Sequence, residues 1–195
     1  MSQHDDTPAP SEADPLTPLM DAIRGGSQSA LAELIDRCWP ELVRYAARQV
    51  GEVDLARDIV QETFIQIWER RRAWKPRGSA RAYLYRIVRN LVIDEKRRQK
   101  VRRRWLAGWD SRPVKHVATP DQVLDAKLLA EVFEAAVAAL PARRREVFEL
   151  VFMRGLSHAE AAGAMGLSTQ TVANQMSAAL RTVRTAVADA GALEG

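Results

Sequence analysis

The sequence predicts an all-α protein made of two small helical domains joined by a flexible linker. Ala, Leu, Arg, Glu and Val dominate the 195 residues, and aromatic residues make up only 6% of them. Apolar residues recur at helical spacing behind capping residues, whereas no run alternates apolar and polar residues between hairpin turns. A chain of this length can form one domain or two of about 80 residues, each burying a modest core.

The chain begins with an acidic, Pro-rich segment. Residues 1–15 have little apolar surface to bury, so we expect a disordered tail. They lack the basic and apolar regions of an export signal, and no later run reaches the ~20 apolar residues of a membrane helix. The single cysteine, Cys38, cannot form an internal disulfide and is expected to be a small buried apolar residue. These features predict a cytoplasmic protein.

A first domain is predicted over residues 16–106, and its first clear helix precedes Gly51. Ser27 or Ser29 can cap this helix, which runs to about Val50 with a kink at Pro40.

Asp54 is expected to cap a second helix that ends near Arg72 and buries one apolar side. The opposite side shows Asp58, Gln61, Glu62, Ile65 and Glu69. An exposed isoleucine among acids is typical of a protein-docking face, although single surface isoleucines also occur where nothing binds.

Positive charge is concentrated in residues 70–104. This segment holds fifteen Lys or Arg residues and two acids, a net charge of +13 in a chain whose net charge is +4. Such a block repels itself unless a polyanion is near, and aromatic residues, Trp74 and Tyr83 among them, are interleaved with it. The sequence therefore predicts a nucleic-acid partner.

The basic block contains a break at 74–78 and then a long helix. Ser79 restarts the helix, which is expected to run to about Arg104. Leu84, Ile87, Val88 and Leu91 form its inner stripe, and the outer side carries Tyr83, Arg86, Arg89, Asn90, Lys96 and Arg97. A merely solvated helix surface is the alternative, but such a surface usually mixes charges of both signs.

A linker is predicted over residues 107–122. This stretch contains Gly108, Pro113 and Pro120 and shows no helical stripe. Its length suits a tether that lets each domain reach its own site.

The second domain, residues 123–190, carries the pattern of a helix-turn-helix. Pro141 starts a helix that ends at Gly155 and is expected to bury Val147, Phe148, Val151 and Phe152. Ser157 and Glu160 form the capping box of the next helix, and Gly166 makes the turn that follows it.

Ser168 then caps a further helix, whose inner stripe is Val172, Met176, Ala179 and Val183. Its outward positions are Gln170, Ala173, Asn174, Ser177, Ala178 and Arg181. In the major groove of a duplex, Gln170 and Asn174 suit adenine, and Arg181 suits guanine or phosphate. The same outline also occurs in helical bundles that bind nothing.

Three segments resemble bacterial sigma factors of the extracytoplasmic-function (ECF) group, in the sigma-70 family. They are DLARDIVQETFIQIWERR (54–71), SARAYLYRIVRNLVIDEKRR (79–98) and LPARRREVFELVFMRGLSHAEAAGAMGLSTQTVANQMSAALRTVR (140–184). The resemblance covers most of residues 20–188 in the right order. It implies a region 2-like bundle and a region 4-like helix-turn-helix, with core RNA polymerase, promoter DNA and an anti-sigma factor as partners.

The resemblance also implies roles for individual residues. Core-polymerase docking falls on Asp58, Gln61, Glu62, Ile65 and Glu69. Recognition and melting of the minus-10 element, with the non-template strand held, falls on Trp74, Lys75, Arg77, Arg81, Tyr83, Arg86, Asn90, Arg97 and Arg98. Reading of the minus-35 element falls on Arg144, Ser168, Thr169, Gln170, Thr171, Ala173, Asn174, Ser177 and Arg181.

Two other classes of protein compete with this interpretation. A free-standing helix-turn-helix regulator would bind duplex DNA alone, but it would need no strand-melting block at 70–104. A small RNA-modifying enzyme could use the cationic helix, but the sequence shows no P-loop, no metal-ligand spacing and no nucleophile-base pair. We therefore expect neither catalytic activity nor a metal or other cofactor.

Overall fold

The computed structural model describes residues 14–75, 79–106 and 124–192, and within these ranges it is helical with no strand. The helices are α1 Thr17–Arg24, α2 Gln28–Val50, α3 Val53–Glu69, α4 Ala80–Leu106, α5 Leu124–Ala139, α6 Ala142–Phe148, α7 His158–Met165 and α8 Thr169–Ala192. The all-α prediction is confirmed. The predicted linker and residues 1–13 of the predicted tail lie outside the described residues.

Helix α2 begins and ends as its local signals indicate. The Ser27 hydroxyl accepts a hydrogen bond from the Ala30 N–H at 3.2 Å, which satisfies one free donor of the first turn. Gly51 ends the helix with φ of 81°, a left-handed conformation that glycine adopts without a steric penalty. Pro40 lies inside the helix, as predicted.

Helix α3 starts earlier than predicted. Glu52 occupies the position before the first turn and makes no side-chain cap, so the prediction that Asp54 caps this helix was wrong. Asp54 lies instead in the first turn, where its carboxylate pairs with Arg57 at 2.8 Å. A carboxylate in the first turn is still favourable because it opposes the positive end of the helix dipole.

The N-terminal half, residues 14–106, packs α1, α3 and α4 around the central helix α2. Tyr45 of α2 and Tyr85 of α4 meet edge to face with ring centroids 5.3 Å apart, and both rings are buried. Cys38 is buried as predicted, and burial, with the nearby Glu41, raises the pKa of its thiol to about 11. The thiol therefore stays protonated and unreactive at neutral pH.

Asp14 corrects the predicted extent of the tail, because it belongs to the folded part of the chain. Its Oδ2 accepts hydrogen bonds from the Arg81 N–H at 2.9 Å and from the Ser79 hydroxyl at 2.7 Å. Its Oδ1 accepts one from the Leu16 N–H at 2.9 Å. Burial alone would raise the pKa of Asp14, but these hydrogen bonds lower it below its ordinary 3.8. Asp14 is thus a long-range cap of helix α4.

Replacing Asp14 with Ala is expected to lower the free energy of unfolding by about 1 kcal/mol, the usual effect of losing a helix cap. Because the pKa is lowered in the folded protein, this contribution is present above pH 3.8 and is lost as the pH falls through the lowered value. Urea unfolding at neutral pH measures the effect. Asp21→Ala is the control, since Asp21 makes only an exposed 3.7 Å pair with Arg24; equal losses in the two variants would contradict the capping role.

The C-terminal half, residues 124–192, contains a feature that the sequence pattern did not indicate. Helix α6 continues into a π-helical turn over Glu149–Met153. A π turn inserts about one extra residue and rotates everything after it around the helix axis. Phe152 is therefore 56% exposed, so the prediction that it is buried was wrong, whereas Val147 and Phe148 are buried as predicted.

The helix-turn-helix of α7 and α8 is formed by the predicted local signals. Ser157 and Glu160 make both hydrogen bonds of a capping box, and Gly166 ends α7 with φ of 65°. The Ser168 hydroxyl accepts a hydrogen bond from the Thr171 N–H at 3.1 Å, which caps α8. The predicted inner stripe of α8, Val172, Met176, Ala179 and Val183, is buried.

The two halves pack against each other through α4 and α7. Gly163 of α7 faces Ala82 of α4, and a Cβ added at Gly163 would lie 3.9 Å from the Ala82 Cβ, in ordinary van der Waals contact. Among the described helices, none has the length and apolar character needed to cross a membrane. The order of the helices thus brings the basic helix α4 against the helix-turn-helix.

Candidate protein-docking and nucleic-acid surfaces

Helix α3 presents an acidic surface with an apolar centre. Its inner side, which includes Ile59, Val60 and Phe64, is buried against α2 and α4. All five residues predicted for docking are exposed on the other side: Asp58, Gln61, Glu62, Ile65 and Glu69. We call this surface the α3 face. Ile65 is 43% exposed there, and an apolar side chain ringed by polar groups is a common protein-contact arrangement.

Helix α4 presents the greater part of the basic block to solvent. The exposed cations are Arg86, Lys96, Arg97, Arg98, Lys100 and Arg102, and we call this surface the basic face. Asn90 is exposed with them. The two acids of the block pair only loosely with it, at 3.8 Å from Arg97 to Asp94 and 3.8 Å from Arg98 to Glu95. The basic face therefore retains a net positive charge that can track a phosphate backbone.

Tyr83 supplies an aromatic surface next to this charge. The guanidinium of Arg86 lies 5.3 Å from the centroid of the Tyr83 ring, which is half-buried. A ring held by an arginine is a suitable platform for stacking an unpaired base. Lys75 is exposed at the start of the break before α4, and Arg77 lies outside the described residues.

Two residues predicted to contact DNA are placed differently from the expectation. Trp74 is only 5% exposed and packs in the core, so its ring has no open face for a base in this arrangement. Arg81 is half-buried, and its guanidinium donates to Glu41 at 3.3 Å and to the backbone carbonyl of Arg154. Periodicity could not indicate either placement, because Trp74 lies in a helix break and Arg154 lies far along the chain.

Helix α8 projects a polar row from the helix-turn-helix. Ser168, Thr169, Gln170, Asn174, Ser177 and Arg181 are exposed, and Thr171 and Ala173 are half-buried at its edge. The Gln170 amide donates a hydrogen bond to Asn174 Oδ1 at 3.0 Å, so the two amides are held as a pair. Such a pair offers both donors and acceptors to a base edge in the major groove.

Arg144 reaches α8 from α6. Its Nε donates to Gln175 Oε1 at 3.3 Å, and the side chain is half-buried. This contact holds Arg144 beside the middle of the exposed row, where a guanidinium can contact the DNA backbone.

A polar cluster between the halves is not indicated by any sequence pattern. Arg89 of α4, expected on the outer side of its helix, instead pairs with Glu146 of α6 through Nε at 2.7 Å, and both side chains are largely buried. The Tyr45 hydroxyl donates to the same carboxylate at 3.2 Å. Gln49 donates to Glu149 at 2.9 Å, and Arg48 donates to Glu134 at 2.8 Å.

The electrostatics of this cluster follow from its burial. Burial raises the pKa of Glu149 despite the attraction of Arg154. It lowers the pKa of Lys96, although Glu146 and Glu149 oppose that change. The pKa of the Tyr45 hydroxyl is raised well above 10.0, first by burial and then by Glu146. Arg89, Glu146 and Glu149 are thus largely taken out of water and depend on partners in the other half, whereas Arg48 and Lys96 stay exposed.

The described residues contain no group of three or more His, Cys, Asp or Glu side chains that could hold a metal ion. The surfaces above offer charge, amides and an aromatic ring, which are the means of binding nucleic acid and protein.

Comparisons with known proteins match both halves of the chain. The family model for sigma-70 region 2 matches residues 34–102, and that for sigma-70 region 4 matches residues 130–183. The ECF RNA polymerase sigma factor SigL of Mycobacterium tuberculosis is 32% identical over 174 residues, which is 85% of this chain and 96% of SigL.

Two solved structures share the fold. CnrH, a sigma factor known from Cupriavidus metallidurans, in complex with the cytosolic domain of CnrY gives a TM-score of 0.63 at 25% identity. That match covers 88% of this chain and 96% of CnrH. RpoE of Bartonella quintana, in complex with the anti-sigma factor NepR, gives a TM-score of 0.64 at 22% identity over 80% of this chain and 95% of RpoE.

Proposed function

Because the chain belongs to the ECF group of sigma-70 RNA polymerase sigma factors, we propose that it binds core RNA polymerase and directs transcription initiation at its promoters. In this role it reads the minus-35 element and melts the minus-10 element. The observation that carries the proposal is the order of exposed surfaces along the chain. An acidic docking helix and a basic helix lie within the region 2 match, and an exposed helix-turn-helix lies within the region 4 match.

The α3 face is proposed as the contact with core polymerase. It is an exposed, mostly polar surface with one apolar residue at its centre. Asp58, Glu62 and Glu69 give it negative charge, so it suits a basic patch on the polymerase.

The basic face and its neighbours are proposed to hold the opened minus-10 strand. Extruding a base costs a few kcal/mol, least where flexible A·T-rich steps are unstacked. A protein offsets that cost with a stacking surface and with cations along the backbone. Tyr83 with Arg86 supplies the stacking surface. Arg97 and Arg98 supply the cations along the backbone, and Asn90 is exposed beside them. Trp74 supports this segment from the core.

The second half is proposed to read the minus-35 duplex with α8. Gln170 and Asn174 face the groove as a hydrogen-bonded pair, Arg181 extends the contact about two turns later, and Ser168 and Thr169 stand at the helix start. Backbone N–H groups at the start of a helix, together with nearby hydroxyls, favour contact with phosphate.

The proposed role is regulatory and calls for no catalysis by this chain, because polymerase carries out the chemistry and the sigma factor contributes binding energy. Because the protein would act together with RNA polymerase, we infer that it works in the cytoplasm. An anti-sigma factor is proposed as a further partner, since CnrH and RpoE, which share the fold, were solved with the cytosolic domain of CnrY and with the anti-sigma factor NepR.

Reconstituted transcription tests the proposal. Purified chain and core polymerase are incubated with a genomic promoter library, and transcript starts are mapped against reactions that contain core polymerase alone. We expect new starts that share an upstream and a downstream element. The absence of any chain-dependent start would overturn the proposed function.

Mutations should distinguish the residues that recognise bases from those that bind the DNA backbone. Asn174→Ala or Arg181→Ala is expected to weaken the binding free energy for promoter DNA by ~1 to 3 kcal/mol and to relax sequence preference at one promoter position. Arg97→Ala, by contrast, should weaken binding to all sequences and reduce the salt slope by about one ion. Affinity measured on a panel of single-base promoter variants, at several salt concentrations, distinguishes the two effects. Uniform losses across the panel for all three variants would contradict the assignment of α8 as the reading helix.

A further inference from the structure

The polar cluster between the halves has the composition of an anion site on the N-terminal half. Tyr45, Arg48, Gln49, Arg89 and Lys96 lie together on α2 and α4, and we call them the Arg89 cluster. Lys96 Nζ donates to Gln49 Oε1 at 3.1 Å, which ties the two helices at this point. The cluster carries three cationic side chains and two neutral donors, and all of them except Lys96 donate to side chains of the other half.

Each arginine of the cluster holds a carboxylate from the other half in a two-pronged contact. Arg89 contacts the two oxygens of Glu146 at 2.7 Å and 3.4 Å, and Arg48 contacts those of Glu134 at 2.8 Å and 3.4 Å. An arginine that binds a carboxylate in this way matches a phosphate equally well, because the two anions present the same pair of oxygens. The glutamates therefore stand where phosphate oxygens would fit.

The proposed function requires the two halves to separate. The minus-35 and minus-10 elements are by their names about 25 base pairs apart, which at about 3.4 Å per base pair is about 85 Å along the duplex. A compact chain of this length is only about 40 Å across. The 17 residues 107–123 have a fully extended length of at most about 60 Å, which allows the halves to part while remaining joined.

Separation removes Glu134 and Glu146 from the Arg89 cluster and leaves Arg48 and Arg89 without these carboxylate partners. Arg89 is only 20% exposed in the packed arrangement, and its charge there is compensated by Glu146. Once the halves part, Arg89 loses this compensating carboxylate, and a new anion that offers a pair of oxygens can take its place. The basic face continues along the same helix, so a DNA strand on α4 brings phosphates close to this position.

We propose that the Arg89 cluster is a binding site for a backbone phosphate of promoter DNA, occupied by Glu146 and Glu134 while the halves are packed. The assignment rests on the proposed function, and it adds residues of α2 to the DNA contacts. Packing of the halves and binding of DNA then compete for the same cations.

The test measures binding of the free full-length chain to a fluorescein-labelled single strand of mixed sequence, by anisotropy at several salt concentrations. Glu146→Gln is expected to tighten binding at least about five-fold and to steepen the salt slope by about one ion, because a competing carboxylate is lost. Arg89→Gln is expected to weaken binding, and the double variant should lose the gain of Glu146→Gln.

Matched controls come from an exposed pair on α2. Arg37 and Glu33 form a surface pair one helical turn apart, so Glu33→Gln and Arg37→Gln change the charge equally without touching the cluster. Glu134→Gln repeats the test at Arg48, where the side chains are 40% and 55% exposed and folding is not at risk. X-ray scattering gives the radius of gyration of each variant and reports separation of the halves.

Three results would overturn the assignment. One is binding by Glu146→Gln no tighter than by Glu33→Gln, whether or not its radius of gyration grows. Another is tighter binding by Arg89→Gln, because the Arg89–Glu146 pair would then only hold the halves together and Arg89 would not bind DNA. The third is a double variant that binds the single strand as tightly as Glu146→Gln does. None of these results bears on promoter-dependent transcription by the unmodified chain, which tests the proposed function separately.

Discussion

Replacing Ile65 with Asp is expected to abolish capture of core RNA polymerase while the chain remains folded. Ile65 lies at the centre of the α3 face, and residues at the centre of an interface typically carry most of its binding energy. A buried carboxylate there would be desolvated beside Glu62 and Glu69. A loss of about 2 to 4 kcal/mol corresponds to about 30-fold to 1000-fold in affinity.

Co-purification of tagged chain with core polymerase measures the effect, and unfolding in urea shows that the fold is kept. Val53→Asp is the matched control, since Val53 is 52% exposed at the start of the same helix but lies outside the α3 face. Glu62→Lys should likewise remove capture by reversing a charge at the centre of the face, with Glu33→Lys as its control. Normal capture by Ile65→Asp and Glu62→Lys would refute the docking face.

The second large effect is expected from Phe148→Ala, which should destabilise the C-terminal half by about 3 to 5 kcal/mol. Phe148 is fully buried, and its ring lies 6.1 Å from that of Phe133 and 4.9 Å from that of Phe152. Removing it leaves a cavity under α5 and α8, whose contacts hold the helix-turn-helix in shape. Reading of the minus-35 element should be lost with the fold of this half.

Phe152→Ala is the control for this experiment, because it deletes the same ring from the same aromatic cluster. Phe152 is 56% exposed after the π-helical turn, so its removal should cost under about 1 kcal/mol. Denaturant unfolding followed by circular dichroism measures both variants. Similar losses for the two would mean that the π turn does not place Phe152 outside the core.

Signals that act within one or two helical turns were predicted well. The caps at Ser27, Ser157 and Ser168 and the turn at Gly166 were confirmed, because each depends on atoms a few residues away. The buried stripe of α8 and the exposed α3 face followed from helical periodicity in the same way.

Several features were missed because their causes lie elsewhere in the chain or leave no pattern. Helix α1 was not predicted individually, since its eight residues between Pro15 and Gly25 give too short a stripe, and α5 is rich in Ala and lacks a clear polar side. Phe152 was expected in the core because periodicity assumes 3.6 residues per turn throughout. Asp14 was assigned to the tail because its partners, Ser79 and Arg81, lie 65 and 67 residues away.

The sequence by itself determined the helical class, the family, the capped helix-turn-helix and the sign of charge on each segment, because these follow from residue types and from spacing along one helix. Only the tertiary structure decided which cations remain free. Arg89 meets Glu146 across 57 residues, and Tyr45 meets the same carboxylate across 101. The pairing of such distant charges depends on how the two halves pack, and no local pattern records it.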